Sequence, residues 1–206
     1  MIVTVDGPAA SGKGTLARRL AQRLGFAHLD TGRLYRAVGL AVLRAGNAPE
    51  NKAEATYAAQ NLDTAGLEDP AISGDRAANA ASKVAAIPTV RAAVLEFQKE
   101  FAARPPGAVL DGRDTGTVVC PDADIKFFLT ASAEERARRR DKELQARGEA
   151  SIYARVLAEI KERDQRDTTR PVAPLRAAEN AAVIDTTDMD ADAVFAAAWD
   201  VIQARS

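Results

Sequence analysis

The sequence predicts an α/β fold, a five-stranded parallel sheet flanked on both faces by helices, and three observations predict it. Five short apolar runs end in Asp, Thr or Gly. Stretches with helical apolar spacing lie between them. The runs are mostly apolar throughout instead of alternating in and out, as expected of strands buried on both faces.

The first run, IVTVD at 2–6, is followed by GPAASGKGT at 7–15. Leu16, Leu20 and Leu24, with Ala17 and Ala21, then make an i, i+4, i+8 stripe, which predicts a helix against the sheet. FAHLD at 26–30 is the second strand, and Thr31 and Arg36 in LDTGRLYR stand at the start of the next helix. From about 33 to 105 no further strand is predicted; Pro88 and Pro105 bracket a helix through Val90, Val94, Leu95 and Phe101. AVLDG at 108–112 and IKFFLT at 125–130 are the third and fourth strands. Ser132 with Glu135 reads as a capping box for a helix over 133–147, with Gly148 as its stop. An Arg-dense helical hairpin over 137–170 follows, then AAVIDT at 181–186 and a C-terminal helix with Val194, Ala198, Val201 and Ile202 on one face. The 33–105 and 137–170 stretches are too long for simple strand-helix alternation, and insertions at strand C-terminal ends surround the ligand crevice of an α/β sheet.

A chain of 206 residues, 47% hydrophobic, is sized for one main domain over 1–206. A formal charge of −1 offers no global field for nucleic acid or an anionic membrane, so anion recognition has to be local. Eleven of the 28 basic residues lie between Ala133 and Arg170, interleaved with acids; a solvated helix face is the plain alternative to a binding role. One cysteine, Cys120, excludes an internal disulfide framework and fits a reducing compartment, and no apolar run approaches membrane-spanning length. The expectation is a cytoplasmic protein.

Gly7, Gly12 and Lys13 satisfy G-x-x-x-x-G-K between a predicted strand and a predicted helix. A glycine-rich turn entering a helix offers converging backbone N–H groups and the positive end of the helix dipole, and Lys13 adds a point charge, so the loop predicts nucleotide phosphate binding. The position that usually carries a Mg²⁺-binding hydroxyl is Gly14, with Thr15 one residue late. Mg²⁺ is therefore expected on Thr15, waters and phosphate oxygens. Asp111, closing the third strand, is placed to accept from metal-bound water, a turn cap being its alternative reading.

LDTGRLYR at 29–36, joined in order to DGRDTGTVVCPDADIKFFLTASAEERARRR at 111–140 and IKERDQRDTTRPVAPLRAA at 160–178, resembles the bacterial cytidylate kinases, a nucleoside-monophosphate kinase family, along nearly the whole chain. The resemblance implies a P-loop NTPase-type sheet with a monophosphate-binding lobe at about 33–105 and a short Arg-rich lid at about 137–170. It implies transfer of the γ-phosphoryl group of ATP to CMP or dCMP with Mg²⁺. Gly7, Pro8, Ala9, Ala10, Ser11, Gly12, Lys13, Gly14 and Thr15 would surround the ATP phosphates, with Arg136 and Arg140 near adenine and those phosphates. Thr31 would lie by the second phosphate, and Arg36, Arg113 and Arg170 would clamp the CMP phosphate, acting with Lys13 in catalysis. Ser82, Arg91 and Asp114 match the family's cytosine contacts, and Arg163 and Asp167 its ribose contacts. The implied protein is a monomer that takes small nucleotides and engages neither nucleic-acid polymer nor membrane.

Some features depart from the family pattern. Leu62 to Ala78 is too short, and too rich in Gly, Asp and Pro, for the small β-sheet insert many bacterial members carry. Arg33 stands where alanine is common and Cys120 where an aromatic is common, and surface and packing readings suffice for both. His28, the sole histidine, reads as a half-buried strand residue and not a general base. Two rival readings use the same loop: a kinase for UMP, AMP or a non-nucleotide metabolite, discriminated by Asp114, Arg91 and Ser82, and a nucleotide-dependent switch, for which N-K-x-D is absent.

Overall fold

The computed structural model describes residues 1–63, 67 and 69–205. Strands β1 (Ile2–Asp6), β2 (Ala27–Asp30), β3 (Ala108–Gly112), β4 (Ile125–Thr130) and β5 (Ala182–Asp185) form one sheet in the order β2-β3-β1-β4-β5. All neighbouring pairs are parallel. These are the five predicted runs, with Phe26, Ala181 and Thr186 trimmed from the ends.

Strand period decides which cover each residue meets. Val3, Val5, Val109, Ile125, Phe127 and Leu129 pack against Leu16, Leu20 and Ala17 of α1 (Lys13–Leu24) and Val194, Ala198 and Ile202 of α8 (Ala191–Gln203), so both predicted stripes face the sheet. On the other face Leu29, Ala108 and Leu110 meet Phe101 and Ala102, from the end of α5 (Pro88–Ala102), together with Val119, Cys120 and Ala123.

The chain between β2 and β3 is helical: α2 (Thr31–Arg44), α3 (Lys52–Gln60), α4 (Asp75–Val84) and α5, with a short 3-10 turn at Pro70–Ser73. Leu34, Val38, Val42, Ala55, Val84, Val90 and Val94 give these helices a core separate from the two sheet faces. Of the 62–78 segment, positions 64–66 and 68 lie outside the described residues, and the described ones hold no strand.

After β4, α6 (Ala133–Ala146) and α7 (Tyr153–Thr169) make a hairpin with its own small core of Ala137, Leu144, Val156 and Ile160. The predicted capping box is only half formed. Ser132 Oγ accepts from Glu135 N at 3.2 Å, but the Glu135 carboxylate turns to Arg138 and Arg139, and Ser132 N donates to Thr187 Oγ1 at 3.0 Å instead. Arginines three and four residues ahead on the same face draw the carboxylate away from the helix end. No described helix is long and apolar enough to cross a membrane.

Parallel strands bring the carboxyl ends of β1 to β5 to one rim of the sheet, and the loop after β1, the start of α2 and the segment after β3 all meet there.

Candidate active site

The loop after β1 closes tightly on the sheet. A Cβ on Gly7 would lie 2.3 Å from the carbonyl oxygen of Leu129 on β4, so only glycine lets the backbone turn there. The loop ends at Gly12, which caps α1 with no side-chain hydrogen bond, and the first turn of α1 carries no acidic residue. An uncapped helix N-terminus leaves donors and positive dipole facing an anion. Lys13, at its first position, has only a 3.4 Å contact from Nζ to the carbonyl of Pro8. Burial lowers its ammonium to about 7, and repulsion from Arg113 and Arg163 adds to this against the attraction of Asp111 and Asp30.

Across the rim the cations gather. Arg36 on α2 pairs with Asp30 at 2.6 Å, and its Nε has no hydrogen-bond partner. Arg113, just after β3, donates from Nε to Asp167 Oδ2 at 2.9 Å. Arg163 on α7 lies 3.8 Å from the same oxygen, with its Nε unsatisfied. Burial, then the neighbouring Arg113, brings Arg163 down to about 10, although Asp167 opposes the shift. For Asp167, burial favours the neutral acid, but Arg113 and Arg163 outweigh it and hold the carboxyl low. Arg170, capping the end of α7, donates from Nε to the carbonyl of Ala173 at 2.7 Å and leaves Nη2 without a hydrogen bond, 3.6 Å from Asp114 Oδ1. Arg36, Arg113 and Arg163 line one cleft, where unsatisfied guanidinium nitrogens make a candidate anion site; Arg170 is not among the cleft-lining residues.

Arg91 on α5 pairs with Asp114 Oδ2, donates to the carbonyl of Ala85 at 3.3 Å and lies over the Tyr35 ring at 5.4 Å. Ser82 on α4 donates to Asp167 Oδ1 at 3.2 Å and accepts from Arg166 Nε at 3.1 Å. Ser82, expected at the base, thus stands beside Asp167, expected at the ribose. A cleft of about 870 Å³ is lined by Ala9, Ala10, Gly12, Lys13, Gly14 and Thr15 on one side and by Arg36, Arg113 and Arg163 on the other; Ser82, Arg91, Asp114, Asp167 and Arg170 are not among its lining residues.

The remaining candidates have other engagements. Thr31 is buried and donates from Oγ1 to the carbonyl of Asp111 at 2.8 Å, fixing the end of β3. Arg136 is buried and grips Asp164 through both terminal nitrogens at 3.0 and 2.6 Å, the carbonyl of Ala131 at 2.9 Å and that of Ala9 at 3.4 Å. It ties the phosphate loop to both helices of the hairpin. Arg140 lines the cleft and pairs with Asp75 and Glu143. Ser11 is buried with its hydroxyl unpartnered, and Pro8 contributes its carbonyl to Lys13.

Thr15 is exposed on the first turn of α1, and Asp111 is buried, its Oδ1 at 2.8 Å from His28 Nε2; both line the cleft with Lys13. His28 is half-buried on β2, as its strand position suggested. Among the described residues no group of three His, Cys, Asp or Glu could hold a metal. One carboxylate and one hydroxyl beside a candidate phosphate site would nonetheless be the sparse donor set that suits Mg²⁺, which takes most of its ligands from phosphate and water. Asp30, Arg18 and Arg166 also line the cleft and were not singled out from sequence. Asp30 carried a usable signal, a carboxylate closing an apolar run. Arg18 and Arg166 carried none beyond their charge.

A family model described as Cytidylate kinase matches residues 3–204. A protein of Paramagnetospirillum magneticum named cytidylate kinase is 59% identical, covering 99% of this chain and 98% of its own. One of Rhodospirillum rubrum with the same name is 54% identical over 100% of this chain and 99% of its own. The crystal structure of an uncharacterized protein from Eubacterium ventriosum shares the fold at a TM-score of 0.55 and 13% identity, covering 100% of this chain and 98% of that one.

Proposed function

This chain belongs to the cytidylate kinase family, and we propose that it transfers the γ-phosphoryl group of ATP to CMP or dCMP with the residues of this cleft in the roles that follow. The observation that carries the reading is the presence of two anion sites on one rim, the bare N-terminus of α1 with Lys13 and the separate arginine group. A switch protein needs only the first; a phosphotransferase with a phosphate acceptor needs both.

Phosphoryl transfer is mainly a matter of alignment and charge neutralisation. The loop Gly7–Thr15 holds the donor phosphates through its N–H groups. Lys13, short of partners and held near 7, gains most when charge builds on the transferring group. The unsatisfied nitrogens of Arg36, Arg163 and Arg170 become donors to the acceptor nucleotide, and Arg113 completes the clamp on its phosphate. Asp114 and Arg91 read the amino group and the acceptor edge of cytosine, with Ser82 beside them, and Arg163 and Asp167 hold the ribose. Thr15 and Asp111 would hold Mg²⁺, which would supply neutralisation of the donor phosphates. Arg140 turns from Asp75 to ATP, and Arg136 supports the loop from below.

In this reading 1–206 is one domain, 33–105 the monophosphate lobe and 137–170 the lid; the lid meets the lobe through Arg140 with Asp75 and through Arg147 Nη1 on the carbonyl of Ser73 at 2.9 Å. The protein works as a cytoplasmic monomer. ADP release measured with CMP, dCMP, UMP or AMP at saturating ATP–Mg²⁺, and with no acceptor, tests it. CMP and dCMP should give the fastest turnover. Equal rates with all four, or full turnover without acceptor, would overturn the assignment.

A further inference from the structure

Asp6 takes no part in the roles above, yet it is a buried carboxylate, 3% exposed, at the end of β1 directly before the glycine-rich loop. Its Oδ1 accepts from Thr115 N at 2.9 Å and Thr115 Oγ1 at 2.8 Å, and its Oδ2 accepts from Gly116 N at 2.8 Å. Thr115 and Gly116 open a single π-helical turn, Thr115–Val119, whose later N–H groups at 117, 118 and 119 all go to the carbonyl of Asp114. The first two N–H groups of that turn would be orphans without Asp6. The turn is therefore capped not by its own flanking residue but by the last residue of β1, 109 positions away.

The residues immediately before the capped turn are Arg113, which lines the cleft, and the buried Asp114, both assigned to the acceptor nucleotide in the proposed function. The other end of their segment is fixed as well: Thr31 holds the carbonyl of Asp111, and a Cβ on Gly112 would lie 2.5 Å from Thr31 Oγ1 and 2.8 Å from Thr115 Cγ2. With both ends fixed, the side chains between them have little positional freedom. Asp6 is also the residue directly before Gly7, where the donor-phosphate loop starts. Burial pushes its carboxyl up to about 6, partly offset by the two backbone donors, so the fold holds a carboxylate there against an electrostatic cost.

We infer that Asp6 is a specificity-determining positioning residue: by capping the 115–119 turn it sets the register of Arg113 and Asp114 against the donor loop, and so sets the discrimination between cytosine and uracil. The inference rests on the proposed role of Asp114 as base reader. Asp6→Asn keeps the shape but turns an amide NH₂ onto one of the backbone donors. Thr115→Val removes only the hydroxyl bond, and Thr115→Ser restores it.

The test is the ratio of kcat/KM for CMP to that for UMP, which does not depend on how much of each variant is folded and active. Asp6→Asn should lower the ratio about 10-fold, as expected of a misplaced reading group. Thr115→Val should lower it about threefold, the scale of one hydrogen bond, and Thr115→Ser should stay at the wild-type value. A purely structural Asp6 would lower thermal stability and the active fraction and leave the ratio untouched; an unchanged ratio in both Asp6→Asn and Thr115→Val overturns the inference. If Asp6→Asn does not fold, Thr115→Val against Thr115→Ser decides it alone. Asp114→Ala measured in parallel separates the two levels: an unchanged ratio there removes the base-reading role itself, whereas a changed ratio there with unchanged Asp6 and Thr115 variants removes only the role of Asp6.

Discussion

Replacing Asp114 by Asn removes a charge while keeping shape, and the surroundings of the carboxylate set the expected result. Its Oδ2 accepts from Arg91, and its Oδ1 lies 3.6 Å from Arg170 Nη2 without a hydrogen bond, so Oδ1 is the oxygen that the proposed base reading would use. In the Asn variant the oxygen stays on Arg91, because a guanidinium cannot accept, and the amide nitrogen takes the outer position. Cytosine then brings its amino donor against another donor, whereas uracil brings O4, an acceptor. In the wild type the opposition is reversed, and two facing acceptors in a closed pocket cost about 2–4 kcal/mol for UMP, roughly 30- to 1000-fold in kcat/KM. The substitution should therefore erase that preference from both sides, with CMP falling about 10²-fold and UMP holding or rising. Arg91 and Arg170 also lose their neutralising partner; both are almost fully buried, and breaking such a pair destabilises the fold by about 3–5 kcal/mol. The assay is kcat/KM for both nucleotides in wild type and Asp114→Asn, with melting curves to confirm folding at the assay temperature. A folded variant with the wild-type CMP/UMP ratio would refute the reasoning and move selectivity to Arg91 or Ser82.

Lys13→Met should cut kcat by about 10²-fold or more, near 3 kcal/mol, with a smaller change in the KM for CMP; near-normal kcat would remove the loop from catalysis. The same lysine ties stability to pH: its folded value near 7 lies below the unfolded 10.5, so the unfolded chain binds more protons between them and stability rises with pH across that window. Melting temperatures of the nucleotide-free protein at pH 7 to 9 should rise more in wild type than in Lys13→Met, and parallel curves would contradict this. Arg170→Ala should weaken CMP binding and slow transfer together, because in the proposed clamp its unbonded nitrogen would serve ground and transition states alike; unchanged CMP kinetics would leave it as a structural partner of Asp114. Asp75→Ala frees Arg140 from a partly exposed pair worth at most about 1 kcal/mol, so the KM for ATP should fall up to about fivefold; a rise would mean that the contact between the helices matters more than the freed arginine.

Much of this protein was determined by local sequence. Each strand of the sheet is a run of adjacent apolar residues, and the α1 stripe is set by spacings of four, so neither needed the rest of the chain to be legible. The phosphate loop is likewise continuous, and its backbone donors depend on glycine placement and the helix behind it. The resemblance extends the expectation further, to Arg36, Arg113 and Asp114, because it draws on three separated segments read together in order.

Tertiary structure decided how those residues are held. Arg91 meets Asp114 across 23 residues, Ser82 meets Asp167 across 85, and Asp6 caps Thr115 across 109. It also broke a local rule, since nearby arginines took the Glu135 side chain from the capping box. Arg136 is not the solvated helix face its surroundings in sequence allowed but a buried brace on Asp164 and Ala9. The physical reason is the same in each case. Backbone conformation responds to neighbours in sequence, whereas a buried charge must find its partner among whatever groups the folded sheet brings to the same rim, and only the completed packing determines which those are.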